Sequence, residues 1–373
     1  MLAARAYEHE TELRLETVER PQVRPGDVII KVESSALTNG LLGLWQRGVF
    51  PVLPRTLGHE AGGVIVETGV GVDNVAVGDR VRLHPVLSCR LCEFCLTGRE
   101  QFCRSATMIG HGNFGPDGME LHKRYLDGTL AEYVRAPAWA IDLIPDSVSF
   151  DVAAKLHDVA DGLRAMHRAQ LRPGATILIT AATGVLGSSI VKLAPFFGVN
   201  RIIAIGRSGE RLELTRALAP DLVETVALER LDPDWETSGG LTDAIRGLVP
   251  AGADALFDFL DSGAGTAQAI AALKQDGTTI VMSPNPKPLP IPPALMIRNG
   301  WRIIGSRGCT RADTQQVLDW VAAGRLSIDE LITHRFPLTE IARAQQLVQA
   351  RREPVWMVVI HPSDPVSATI EPS

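Results

Sequence analysis

Four of the five cysteines fall in one short stretch: Cys89, Cys92, Cys95 and Cys103 read C-x2-C-x2-C-x7-C. Two-residue gaps let successive thiolates turn toward one centre, as a tetrahedral ion with Zn–S bonds of about 2.3 Å requires. Four thiolates fill that tetrahedron and leave no position for a substrate, so the spacing reads as a closed, structural zinc site. An iron–sulfur cluster favours other spacings, a disulfide pair conflicts with a reducing compartment, and an empty thiol cluster is the plainest alternative. Cys309, far along the chain, reads as a small buried apolar residue rather than a nucleophile.

A second constellation lies in "ATILITAATGVLGSSIVKLA", a strand, a tight turn and a helix. The turn, Ala182-Thr183-Gly184-Val185-Leu186-Gly187, is a variant of G-x-G-x-x-G. Small residues there let the backbone approach a pyrophosphate, and the helix amino end offers free N–H groups and the positive end of its dipole. The alternative is a plain packing turn. The next strand ends "AIGRSGER", where an NAD site wants a carboxylate for the ribose 2′-hydroxyl. Here stand Gly206, Arg207 and Ser208, with Arg211 a turn further on, a set suited to a 2′-phosphate. NADP(H) is therefore the expected cofactor. The competing reading makes Arg207 and Arg211 solvated turn charges.

These residues need a scaffold. Length (373 residues) exceeds what one hydrophobic core usually serves, so two domains are expected. An apolar content of 45% and a net charge of −6, with both signs interspersed, argue against a nucleic-acid or membrane-surface partner. The apolar runs are too short to cross a bilayer. The first residues lack the apolar core of a secretory signal, which makes the cytoplasm the expected compartment. Residues 26–85 alternate with period two between closely spaced turns, as in a small β-barrel or sandwich. "DVAAKLHDVADGLRAMHRAQL" reads as one helix. Beyond it strands and helices alternate, the pattern of an α/β fold with helices on both faces of a parallel sheet. Strands are expected at 176–180, 201–205, 223–226, 255–259, 278–282 and 302–304, two helices and a closing strand "VWMVVI" near the end, and a fraying tail after Ile360.

Taken in order, "GHEAGGVIVETG" at 58–69, "VGDRV", the cysteine lobe, "GTLAEYV", the glycine turn and "HRFPLTEIARA" resemble the medium-chain (zinc-type) alcohol dehydrogenase and reductase superfamily over almost the whole chain. The resemblance implies a GroES-like β-barrel catalytic domain at 1–155 with a structural-zinc lobe at 87–104, a Rossmann doubly wound parallel sheet at 156–308, and a return segment, 309–373, completing the first domain. It places the active site in the cleft between domains and implies a homodimer or homotetramer, with "WRIIGS" at a sheet edge. It also implies a three-ligand catalytic zinc whose first ligand, normally cysteine, is here Thr38. The second falls at His59, with Glu60 beside it, and the third at His157, or at Asp158 if the loop slips by one. A relay hydroxyl is replaced by Gly40. Two readings follow: a rearranged zinc on His59, Glu60 and His157 acting as Lewis acid, or no catalytic metal, with Thr38 or His59 polarising the substrate by hydrogen bonds. The expected reaction is hydride transfer between NADP(H) and a small carbonyl or alcohol substrate; the alternative is metal-free reduction of an activated C=C or C=N bond. Trp45, Phe50, Phe114 and Trp139 are candidates to line the substrate space. The plainer account of His157 is a histidine at a helix start, satisfied locally.

Overall fold

The structure, a computed structural model, describes residues 1–350 and 355–363. The chain divides into two compact units, one formed by Met1–His157 with the residues from Thr310 on, the other by Asp158–Cys309.

In the first unit the long strand Asp27–Leu37 is the hub. It pairs antiparallel with Ala61–Thr68, with Tyr133–Pro137 and with Met357–His361, so the end of the chain joins the sheet begun near its start. Strands Arg80–Leu83, Ile141–Leu143 and Ile332–Pro337 extend this seven-stranded sheet. Alternate residues Val28, Ile30 and Val32 face a core with Ile65, Val81 and Val134, and Ile29 on the opposite face is buried as well. The tail was expected to fray from residue 361, but its first residues are held. His361 Nε2 lies 2.7 Å from Asp151 Oδ1, and the Ser363 hydroxyl donates to the Val32 carbonyl at 2.9 Å. The rest of that tail, 364–373, lies outside the described residues.

The second unit carries a six-stranded, wholly parallel sheet in the spatial order Val223–Ala227, Arg201–Gly206, Thr176–Ile179, Ala253–Asp258, Leu273–Val281, Arg302–Gly305. Numbered along the chain this is 3-2-1-4-5-6, the Rossmann order, in which the chain reverses direction beside the first strand. Strands Thr176–Ile179 and Arg201–Gly206 carry runs of buried Ile, Leu and Ala, as a sheet covered on both faces demands, whereas Leu273–Val281 is exposed at 274–276 and buried from Gly277 to Ile280. Strand Arg302–Gly305, from "WRIIGS", lies at one end of the sheet.

One expected element is broken. The helix read across 151–171 is two helices, Phe150–Ala153 and Leu156–Ala169, with Ala154 and Lys155 between them. The periodicity hides the break because Ala153 and Leu156, on either side of it, and Ala154 within it are all buried apolar residues.

Candidate active site and zinc lobe

The four cysteine sulfurs converge, all lying within 4.8 Å of one another. Individual separations are 3.9 Å for Cys89–Cys95, 3.6 Å for Cys92–Cys95 and 3.5 Å for Cys103–Cys89. A tetrahedral ion with bonds of about 2.3 Å needs sulfurs about 3.8 Å apart, so the set fits a structural zinc. Backbone N–H groups of Leu91 and Cys92 point at the Cys89 sulfur, and those of Cys89 and Ser105 at the Cys103 sulfur. The Leu91 and Cys92 amides hold the Cys89 thiol down at about 6, whereas burial pushes Cys103 up to about 12. Leu91 and Leu96 of this lobe are 81% and 73% exposed, so the lobe's apolar side chains do not form a core of their own.

The candidate site grows from the sheet hub. Ser35 is paired with Ala61, and the Ala36 amide donates to the Glu60 carbonyl at 3.1 Å. This register sets Thr38, at the end of one strand, beside His59 and Glu60, at the start of the next. Gly58 holds a φ of +101°, and a Cβ there would fall 2.6 Å from Thr129 Oγ1 and 2.8 Å from the Leu130 amide, so glycine is needed to aim His59 inward. Thr38 begins the helix Asn39–Gln46, its hydroxyl accepting from the Leu41 amide at 3.3 Å. His157 lies in the first turn of Leu156–Ala169, with Asp158 next on the same helix. The rings of His59 and His157 are 6.1 Å apart, edge to face.

Two members of this pocket were not foreseen. His111, from the loop after the cysteine lobe, packs edge-on against His59 at 4.9 Å, between Phe50 and Phe114. Its Nδ1 is buried with no hydrogen-bond partner among the described residues. Lys155, 1% exposed, places its Nζ 3.4 Å from Glu60 Oε2, which in turn lies 3.9 Å from His59 Nε2. A lysine inside the apolar run "DVAAKLHDVA" is the one local signal that could have drawn attention to it. Burial, and then the neighbouring charges of His59 and Arg55, hold His111 well below the ordinary imidazole range. Burial with His59, His84 and Arg82 does the same to His157. Both rings are therefore neutral near pH 7. Of the candidate aromatics, Phe50 and Phe114 border His111, while Trp45 is a core residue whose indole donates to the Tyr7 carbonyl. Trp139 stacks under Arg90.

This donor set, with Thr38 in place of the thiolate, matches a catalytic zinc at His59 poorly. The thiolate position carries a neutral hydroxyl already engaged as a helix cap, and the carboxylate beside His59, Glu60, faces an ammonium rather than standing free as an anionic ligand; His157 also lies in a separate group with Asp161 and Cys309 whose ligand atoms fall within 4.8 Å of one another.

Behind the pocket, His122 bridges Arg55 Nη1 and the Thr107 hydroxyl, each at 2.8 Å. Burial, reinforced by Arg55, lowers His122 to about 4. The unfolded chain, at about 6.5, thus takes up this proton first, and stability is lost as pH falls from about 6.5 to about 4. At the lower end the loss is about 3 kcal/mol. Urea unfolding at pH 7 and pH 4.5 is expected to show a larger drop for the native chain than for His122→Gln; equal drops would contradict this assignment.

In the second unit the turn 182–187 opens the helix Val185–Leu193, whose amino end, at Gly184, has no side-chain cap. Gly187 lies against the strand end, where a Cβ would meet the Ala182 backbone at 2.6 Å. Arg207 is exposed at the end of the second strand, and the Ser208 hydroxyl caps the helix Gly209–Ala217. The structure adds two unforeseen groups from the turn after the third strand. The Arg230 guanidinium lies over Gly209, and Glu229 Oε1 accepts from the Gly209 amide at 2.7 Å.

The pattern described as "Alcohol dehydrogenase GroES-like domain" matches residues 24–146, and that described as "Zinc-binding dehydrogenase" matches 185–323. The chain belongs to the zinc-type medium-chain dehydrogenase/reductase superfamily. Within it, an alcohol dehydrogenase of Geobacillus stearothermophilus is 30% identical, the match covering 87% of this chain and 90% of the relative. Among solved structures, an NAD-dependent alcohol dehydrogenase is 26% identical with a TM-score of 0.82, covering 97% of this chain and 99% of that one. A zinc-binding dehydrogenase of Sinorhizobium meliloti 1021 bound to NADP is 25% identical, with the same TM-score and coverage. The protein is thus a dehydrogenase-type oxidoreductase of this superfamily, and no helix among its described residues is long and apolar enough to cross a membrane.

Proposed function

We propose that the protein is an NADP(H)-dependent oxidoreductase moving hydride between nicotinamide C4 and a small carbonyl or alcohol substrate. The observation that carries this reading is the uncapped helix end at Gly184 above a parallel sheet of 3-2-1-4-5-6 order. The nicotinamide supplies the hydride chemistry; the chain binds it, excludes water and stabilises charge on the substrate oxygen. Donors for that oxygen are the Thr38 hydroxyl and the imidazoles of His59 and His111, of which the buried His111 Nδ1 is the best placed to take a new partner. The Glu60–Lys155 pair and the missing thiolate support a second reading, metal-free reduction of an activated C=C or C=N bond, in which charge develops on a conjugated atom and hydrogen bonds suffice. NADPH oxidation over a panel of aldehydes, ketones, enones and quinones separates the two readings; no turnover with any member would end both.

For the cofactor, Arg207, Ser208 and Arg211, joined by Arg230, suit a 2′-phosphate, while Glu229 and Glu210 are the acidic groups at the same turn. We expect NADPH to outperform NADH at least about 10-fold in kcat/KM. Arg207→Ala should weaken NADPH about 10-fold or more, the worth of a charge-assisted hydrogen bond, and leave NADH nearly unchanged. A preference for NADH would overturn the assignment. The edge strand Arg302–Gly305 suits pairing between copies, and a soluble homodimer or homotetramer in the cytoplasm is the assembly proposed.

A further inference from the structure

We infer that the Lys155 ammonium occupies the electrostatic place of a catalytic metal and keeps the reaction pocket free of a divalent ion. The inference rests on the pocket proposed above, but its test counts metal and needs no turnover.

Three observations carry it. The Glu60 carboxylate is 2% exposed and lies between His59 Nε2, at 3.9 Å, and Lys155 Nζ, at 3.4 Å. A buried carboxylate needs a counter-charge, and here a side chain supplies it. The break between the helices Phe150–Ala153 and Leu156–Ala169 is what admits Lys155: its amide still closes the first helix on the Val152 carbonyl at 2.9 Å, and its side chain enters the pocket two residues before His157. Finally, position 38 holds a neutral hydroxyl that caps a helix. Relative to a thiolate–imidazole–carboxylate set, the pocket has lost one negative charge at residue 38 and gained a positive one at residue 155. Both changes disfavour a divalent cation beside His59 and His157, and both favour a pocket whose permanent charge is internal to the chain. A thiolate restored at residue 38 would therefore still meet an ammonium beside the carboxylate.

The test is elemental analysis of protein purified without chelator, with Co2+ substitution as a second readout. The native chain is expected to hold one zinc per subunit, lost when the four-cysteine lobe is mutated. Thr38→Cys alone is expected to stay at one. Thr38→Cys combined with Lys155→Leu is expected to reach two, with the visible cobalt–thiolate absorption of a second tetrahedral site. Two zinc ions per subunit in the native chain or in Thr38→Cys, or one in the folded double variant, overturns the inference. If Lys155→Leu prevents folding, Lys155→Gln in the same Thr38→Cys background takes its place, with the same expected count and the same overturning result. A failure here leaves NADPH binding intact, whereas failure of the proposed function appears as absent NADPH binding whatever the metal count.

Discussion

Cys103→Ser is expected to empty the zinc lobe and unfold it, lowering the zinc count by one per subunit and the stability of the first unit by at least about 3 kcal/mol. That floor is well under the roughly 10 kcal/mol or more that zinc contributes to folding small metal-dependent domains. The lobe depends on the ion because its leucines face solvent, so the four sulfurs are the main tie holding segment 89–103 in shape. The loss would spread beyond the lobe. Glu100, inside it, accepts from the Arg311 amide at 2.6 Å, and the Arg311 guanidinium binds Asp142 and the Trp139 and Ile141 carbonyls. Arg311 begins the helix Arg311–Ala322, so one residue ties the lobe, the sheet strand Ile141–Leu143 and the returning segment together. Limited proteolysis should cut the variant within 87–104 while NADPH still binds the second unit. A variant that keeps its zinc and its native melting curve would refute the account.

The contrast between the two polar centres explains what could be read in advance. The cysteine spacing specifies its geometry over a few residues, because each gap is short enough for the local backbone to settle where the sulfurs point. The glycine turn is equally local, and the strand runs of the second unit identify themselves by their apolar β-branched content. The pocket is different. His59 and Glu60, His111, and Lys155 with His157 arrive from three distant segments, and the strand register and the helix break that join them are tertiary facts. Resemblance pointed to residues 38, 59 and 157, since those positions lie on motifs. It was silent on His111, which lies on none, on Lys155, which shares a stretch with His157 without holding a ligand position there, and on Arg230 and Glu229, which reach Gly209 only because the second and third strands pair.

The glycines of the dinucleotide turn should separate folding from binding. At Gly187 a Cβ would lie 2.6 to 2.8 Å from the Cα, carbonyl oxygen and carbonyl carbon of Ala182, atoms of the backbone that cannot rotate away. Gly187→Val must therefore push the helix Val185–Leu193 off the strand end, at a cost of about 1–3 kcal/mol for overpacking. It also moves the N–H groups that would cradle a pyrophosphate, so NADPH affinity should fall at least about 100-fold. At Gly184 the same Cβ meets only the Ala181 carbonyl, at 3.3 Å, and the backbone φ of −91° suits any residue. Gly184→Ala should then leave the melting curve nearly unchanged and still weaken NADPH about 10-fold or more, because its methyl group stands where the phosphate must approach. Thermal melts beside titration calorimetry read the two effects separately. If Gly184→Ala bound NADPH as tightly as the native chain, the pyrophosphate would not be seated on this helix end. If Gly187→Val bound it normally, the helix would not be the element that positions the cofactor.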